Sequence, residues 1–292
     1  MKAVQSALTW AVIAGLVVFA LPVVAAVRLV DRTPARVRAG RTFRQIGSLV
    51  PRVNPAWSVS VGGVDPATLR HPYVVVSNHQ SLADIPVIAR LPWEMKWVTK
   101  AEMFRVPVFG WLQRLAQDIP VDRKDATSRA TVLVRAQRVL ERGCSVMFFA
   151  EGTRSRDGRL KTFYDGAFTL AVRAGVPVLP LAIDGTMDAI PKHGWTFGRA
   201  DVRLAVLAPV PTEGLTEADV PALRDRVRTA IAEQVAAWRG VDPAAVDGLA
   251  PSPDRAPHPA LAPPADAGWG ARTAGGAEIE EGVETPRRAP GG

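Results

Sequence analysis

The chain has 292 residues and a mass of 31.3 kDa, enough to bury one sizeable core, and its composition excludes fibrous, collagen-like and disulfide-knot classes. Lys+Arg number 36 against 28 Asp+Glu, a net +8, and only six of the cations are lysine; this arginine excess suits planar carboxylate or phosphate partners, or reflects G+C-rich coding. A single cysteine, Cys144, rules out an intramolecular disulfide, and whether the charge serves nucleic acid depends on where it lies.

No charged residue occurs from Ala3 to Val27, and Leu8 to Val30 is almost continuously apolar. That length spans a bilayer, which takes about 20 residues. A cleaved signal peptide is the competing reading, with Lys2 as its basic end and Val24-Ala25-Ala26 as its cleavage site, but the stretch outruns an h-region of about 7 to 15 residues. Pro22 predicts a kink, or a segment that dips into the bilayer without crossing it. Arg28, Arg32, Arg36, Arg38, Arg41 and Arg44 follow against Asp31 alone, which by the positive-inside rule places this side in the cytoplasm and holds it to anionic headgroups. Pro34 interrupts any helix, and Phe43, Ile46 and Val50 then share one face of a short amphipathic helix ending near Pro51. Residues 1–56 therefore read as a membrane anchor, whether single span, hairpin or monotopic.

Short β-branched runs predict strands at Trp57–Val61, Tyr73–Ser77, Lys96–Thr99, Ser145–Phe149, Val176–Ile183 and Val202–Leu207. Helical patterns lie between them at Ile85–Leu91, Val108–Leu115, Ala126–Arg142 and Gly166–Ala174, the last two stopped by Gly143 and Gly175. A final helix opens on Thr216 and Asp219 as a capping box, carries Leu223, Val227, Ile231 and Trp238 on one stripe, and ends at Gly240. This alternation predicts an α/β domain over residues 57–239, a layered mixed β-sheet flanked by helices. Residues 240–292 are rich in Ala, Pro and Gly without hydrophobic period and read as a disordered tail. The tail carries four basic and eight acidic residues, so the positive charge belongs to the anchor and the domain.

Two stretches carry chemistry. In Val76-Ser77-Asn78-His79-Gln80-Ser81-Leu82-Ala83-Asp84 a buried strand runs into polar residues and then into a helix. On a continuous helix His79 and Asp84 would lie about 140° apart. If the chain bends after His79, the carboxylate reaches an imidazole nitrogen, fixes its tautomer and makes the other nitrogen a general base. The alternative is a plain helix start, capped by Ser81 or Asp84, with His79 incidental. In Phe148-Phe149-Ala150-Glu151-Gly152-Thr153-Arg154-Ser155 a strand again meets glycine, hydroxyls and a guanidinium, a set that suits phosphate. Phosphate would repel Glu151, which is expected to brace Arg154 or the loop backbone. No Gly-Lys-Ser/Thr follows, so this is not a P-loop.

Together these stretches resemble the glycerolipid acyltransferase family over about residues 57–210, in four blocks in the expected order. Asn78-His79 through Asp84 matches its Asn-His-x4-Asp signature. Ile119-Pro120-Val121-Asp122-Arg123 looks like its second block, Glu151 to Ser155 its phosphate-binding block, and Val176 to Pro180 its fourth. Lys100 is similar to the family's substrate-phosphate lysine. Ala150 departs from the usual proline without removing a functional group. The resemblance implies an O-acyltransferase in which His79 takes a proton from the acceptor hydroxyl while Asp84 orients the imidazole. Lys100, Arg123, Arg154 and the Glu151-Gly152-Thr153 loop would then hold the acceptor phosphate. It implies acyl-CoA or acyl carrier protein as co-substrate with no cofactor and no metal, and 1-acylglycerol 3-phosphate as acceptor, giving phosphatidic acid on the cytoplasmic face of the cell membrane.

Glycerol 3-phosphate or another lysolipid is the nearest alternative acceptor, and a membrane-tethered phospholipid-binding protein without turnover the alternative of another class. Nucleic acid is disfavoured because the densest basic cluster adjoins the apolar segment. His71, His193 and His258 have no metal-ligand spacing, Cys144 reads as a small core residue, and Trp93, Trp97, Trp111 and Trp195 read as core.

Overall fold

The computed structural model describes residues 2–65, 68–69, 72–192 and 194–247. Two helices come first, α1 (Lys2–Val30) and α2 (Val37–Gly47), followed by β1 (Trp57–Gly63) and β2 (Val74–Ser77). The order continues α3 (Asp84–Ile88), β3 (Met95–Lys100), α4 (Phe109–Leu115), β4 (Ile119–Val121), α5 (Ala126–Glu141), β5 (Ser145–Phe149) and α6 (Gly166–Ala174). Then come β6 (Val178–Asp184), α7 (Thr186–Ala189), β7 (Ala200–Val206), α8 (Val220–Arg239) and α9 (Pro243–Val246).

The strands form one mixed seven-stranded sheet in the order β1-β7-β6-β2-β5-β3-β4, parallel throughout except for the β6/β7 pair. β2 is central, and all four of its residues are buried between β5 and β6. Its side chains alternate between two cores, as a pleated strand requires. Val74 and Val76 join Val139, Phe168, Leu223 and Ile231 under α5, α6 and α8, while Val75 packs with Val87, Ile88, Met147, Leu179 and Ile183 under α3. Strand β4, not predicted from its pattern, is three residues long and contains Pro120, which is tolerated because β4 is an edge strand.

Helix α1 continues through Pro22 without a break. Ser6 and Thr9 are buried on one side of it, and the Trp10 indole donates to the Trp195 carbonyl at 2.7 Å. Farther along, Ala20 and Val24 pack with Phe43 of α2 and with Leu112 and Ala116. The opposite side leaves Val4, Leu8, Val18 and Phe19 exposed.

The arginine run is only partly free. Arg44 is buried in an ion pair with Asp118, Arg41 donates to the Pro92 carbonyl, and Arg36 donates to the Asp31 carbonyl. Trp93 and Trp97 are core residues as expected, whereas Trp111 and Trp195 are about half exposed.

The folded domain also runs past the predicted boundary at 239. In α9 Val246 is buried, and Asp247 pairs with Arg228 of α8, which additionally donates to the Lys161 and Leu160 carbonyls. The loss of hydrophobic period after Gly240 hid this short segment, because one apolar side chain and one ion pair give no periodicity. The rest of the expected tail, residues 248–292, lies outside the described residues, as do His71, His193 and His258.

Candidate active site

Strands β2, β5 and β6 end side by side, and the polar residues following each converge there, at the carboxyl ends where open α/β sheets bind ligands. Asn78 locks the end of β2 to β6, its amide donating to the Ile183 carbonyl at 2.8 Å while its oxygen accepts from Ile183 N at 2.9 Å. The chain then turns, and Asp84 begins α3.

His79 Nδ1 lies 2.6 Å from Asp84 Oδ2, the approach that the bent-turn reading requires. The same oxygen accepts from the backbone N–H groups of Gln80 at 2.7 Å and Ser81 at 3.0 Å, and Asp84 Oδ1 accepts from the Thr186 hydroxyl. Asp84 is fully buried and held on four sides, so it orients the ring. The imidazole also stacks on Phe149 with ring centroids 3.8 Å apart, which fixes its plane. With Nδ1 engaged, Nε2 is the nitrogen left for a substrate proton.

Glu151 braces the loop. It is buried, with Oε1 accepting from His79 N at 2.9 Å and Oε2 from Lys161 N at 3.3 Å. Burial pushes its carboxyl up to about 7, against the opposing effect of those two hydrogen bonds. It thus supports the backbone that carries His79, one of the two roles expected of it. Gly152 has φ +66°, a left-handed conformation that favours glycine, and a Cβ there would stand 2.8 Å from the Tyr164 ring. Thr153 is exposed on the loop, and Arg154 follows half-buried.

The other predicted phosphate residues fall into a second group. Lys100 is about half exposed and pairs with Glu102 at 2.9 Å, and Arg123 lies within electrostatic reach of Glu102 and Tyr164. No hydrogen bond joins Lys100 or Arg123 to Arg154 among the described residues. Tyr164, against Gly152 and near Arg123, stands between the two groups.

Residues 58–184 match a family model described as Acyltransferase. This stretch is thus similar to the acyltransferase family. A chloroplast 1-acyl-sn-glycerol-3-phosphate acyltransferase of Brassica napus is 39% identical to it over 165 residues, 56% of this chain and 46% of that one. The human 1-acyl-sn-glycerol-3-phosphate acyltransferase alpha is 40% identical over 172 residues, 58% and 61% of the two chains. The chain is also similar to the crystal structure of the 1-acyl-sn-glycerophosphate (LPA) acyltransferase from Thermotoga maritima. There the TM-score is 0.67 at 27% identity, covering 80% of this chain and 96% of that one. The chain thus spans about half to three-fifths of the length of the curated relatives it matches.

Sequence reasoning passed over several residues around this site. Lys192 Nζ donates to the Arg154 carbonyl at 2.6 Å, and desolvation together with Arg156, Lys161 and Arg154 holds the Lys192 ammonium below the usual lysine range. Gln80 donates from its side chain to Asp184 Oδ1 at 3.0 Å, and Asp184 forms a two-pronged pair with Arg239 at the end of α8. Lys192 lies 38 residues from Arg154, and Arg239 55 residues from Asp184, so spacing could not reveal either contact. Cys144 is buried and its thiol is pushed up to about 12 by desolvation, as befits an inert core residue.

Proposed function

We propose that this chain transfers an acyl group from acyl-CoA or acyl carrier protein to the free hydroxyl of 1-acylglycerol 3-phosphate, yielding phosphatidic acid. The observation that carries the reading is the buried His79–Asp84 pair at the end of β2, beside a loop rich in cations. The related acyltransferases named above support the same acceptor class.

In this mechanism His79 Nε2 accepts the proton of the acceptor hydroxyl as that oxygen attacks the thioester carbonyl. Asp84 stabilises the imidazolium that results. When the tetrahedral intermediate collapses, the C–S bond breaks and His79 returns the proton to the departing thiolate. The nucleophile belongs to the substrate, so no acyl-enzyme forms. Arg154, steadied through its carbonyl by Lys192, holds the acceptor phosphate together with Lys100 and Arg123, placing the hydroxyl beside His79. Each step uses side chains of this chain, and the scheme calls for neither metal nor cofactor.

The domain works at a membrane, on its cytoplasmic face. α1 is long and apolar enough to cross one. Its buried positions nevertheless run from Ser6 to Val24, about 27 Å of helix lying against the domain. That favours a helix whose exposed apolar side rests in lipid while its other side stays on the protein.

The test is thiol release by the full chain in detergent, with a panel of lysolipid acceptors and both thioester donors. Release with 1-acylglycerol 3-phosphate and its loss in His79→Ala, at an unchanged melting temperature, is the expected result. An active His79→Ala variant sinks the mechanism. Binding of lysolipid without thiol release would turn the reading toward a phospholipid-binding protein.

A further inference from the structure

A second cluster of cations sits away from His79, at the elbow between α1 and α2. Arg32, Arg36 and Arg142 line a cavity of about 420 Å³ together with Thr33, Ala35 and Gln117. Arg142 follows α5 and precedes β5, and Gln117 precedes β4, so the cavity lies at the amino ends of these strands. His79 sits at the carboxyl ends. The elbow is also where α1 leaves Leu29 and Val30 strongly exposed, at 87% and 70%.

Among the described residues no carboxylate lines this cavity. Asp31, beside it in sequence, is fully buried, and its oxygens are taken by Thr33 N, the Thr33 hydroxyl and Ala39 N. Burial alone would raise the Asp31 carboxyl, but those hydrogen bonds, with Arg36 nearby, hold it below the usual carboxylate range. It therefore offsets at most one of the three guanidinium charges. The backbone is unusual as well: of the four non-glycine residues with positive φ among the described residues, Ala35, Arg36 and Gln117 line this one cavity. Each such conformation costs about 1–2 kcal/mol and persists only where surrounding contacts hold it. Here the Asp31 bonds and a contact from Lys96 Nζ to the Arg36 carbonyl at 3.3 Å hold Arg36 in place.

We propose that this arginine-lined cavity holds the phosphate of an anionic phospholipid headgroup, with Leu29 and Val30 in the adjoining acyl layer. Planar guanidinium forks match phosphate oxygens, and two exposed apolar side chains beside them suit a lipid rather than a soluble anion. The inference rests on the membrane part of the proposed function and not on acyl transfer. Arg142 is the decisive residue, because it lies about a hundred positions beyond the amphipathic helix and only the fold brings it to the elbow.

The full chain is mixed with phosphatidylcholine vesicles, with or without phosphatidylglycerol, a lipid that is neither acceptor nor product of the proposed reaction, and the bound fraction is measured by flotation. Arg142→Gln is expected to lower partitioning onto the anionic vesicles about fivefold, and Arg32→Gln with Arg142→Gln roughly 25-fold. Binding to neutral vesicles and thiol release in detergent should stay at wild-type values. Arg135→Gln, an exposed cation on α5 outside the cavity, should change nothing. Wild-type partitioning by Arg142→Gln, or an equal loss in Arg135→Gln, overturns the site in favour of diffuse attraction. Saturable binding of inorganic phosphate by the chain in detergent, lost in Arg142→Gln while that variant's vesicle partitioning stays at the wild-type value, would assign the cavity to a free anion and overturn the headgroup. A wild-type chain that binds neither vesicle defeats the membrane reading and this site together, while leaving acyl transfer to its own assay.

Discussion

Asp84→Asn separates the charge of the His79–Asp84 pair from its geometry. Oδ2 of Asp84 accepts three donors, His79 Nδ1 and the backbone N–H groups of Gln80 and Ser81. Only an oxygen can receive those backbone donors, so the asparagine amide must keep its oxygen there and turn its nitrogen toward the Thr186 hydroxyl, which can accept. The ring orientation and tautomer therefore survive, and the negative charge facing the imidazolium is what disappears. A hydrogen bond to a charged group contributes about 1.5–3 kcal/mol against about 1 kcal/mol for a neutral one. The difference, about 0.5–2 kcal/mol, corresponds to a fall in kcat of roughly 2- to 30-fold. That is far short of the roughly 10⁴-fold loss that follows when an asparagine stabilises the wrong tautomer. The assay is thiol release at saturating acceptor, with KM measured separately and the melting temperature as a control for folding. Wild-type kcat would refute a part for Asp84 in the chemistry, and a loss near 10⁴ would refute the claim that the backbone donors fix the amide. Asp84→Ala is the companion: it strands Gln80 N–H and Ser81 N–H in the interior, at about 1–3 kcal/mol each, so stability should fall by about 2–6 kcal/mol.

Burial that lifts the Glu151 carboxyl from 4.5 to about 7 makes the folded chain hold a proton that the unfolded chain has released, so stability falls as pH rises through that window. Glu151→Gln should flatten denaturation profiles there by up to about 3 kcal/mol, and an unchanged profile contradicts the assignment. In Gly152→Ala a left-handed alanine replaces glycine at a cost of about 1–2 kcal/mol, read as a lower denaturation midpoint at constant slope; a wild-type midpoint would show that the loop adapts freely. Lys192→Met removes both a cation and the bond to the Arg154 carbonyl, so the acceptor KM should rise about tenfold with kcat nearly unchanged, and an unaltered KM removes Lys192 from the phosphate site.

The local elements were legible because each is written in a short window. Gly166–Ala174 and Ser145–Phe149 have the bounds that glycine stops and β-branched runs predict, and Thr216 and Asp219 form their capping box. The Asn78–Asp84 block was equally visible, since strand, turn and helix follow one another directly there. α9 was not, because its stability comes from Arg228 and a single buried valine rather than from any period of its own.

By itself the sequence determined the α/β alternation, the apolar first helix, and the five-residue spacing of His79 and Asp84 between a strand and a helix, all of them properties of neighbouring side chains and backbone preference. The tertiary structure alone decided that Thr186 completes the hold on Asp84, that Lys192 stands behind Arg154, and that Arg142 joins Arg32 and Arg36 at the elbow. It also divided the net +8: Arg44 is buried against Asp118, whereas the elbow arginines face a cavity that no acidic side chain lines among the described residues. The physical reason is range. Propensity and periodicity act over a few residues, whereas hydrogen bonds and charge act through space, and partners separated by up to about a hundred positions meet only once the sheet has ordered its strands.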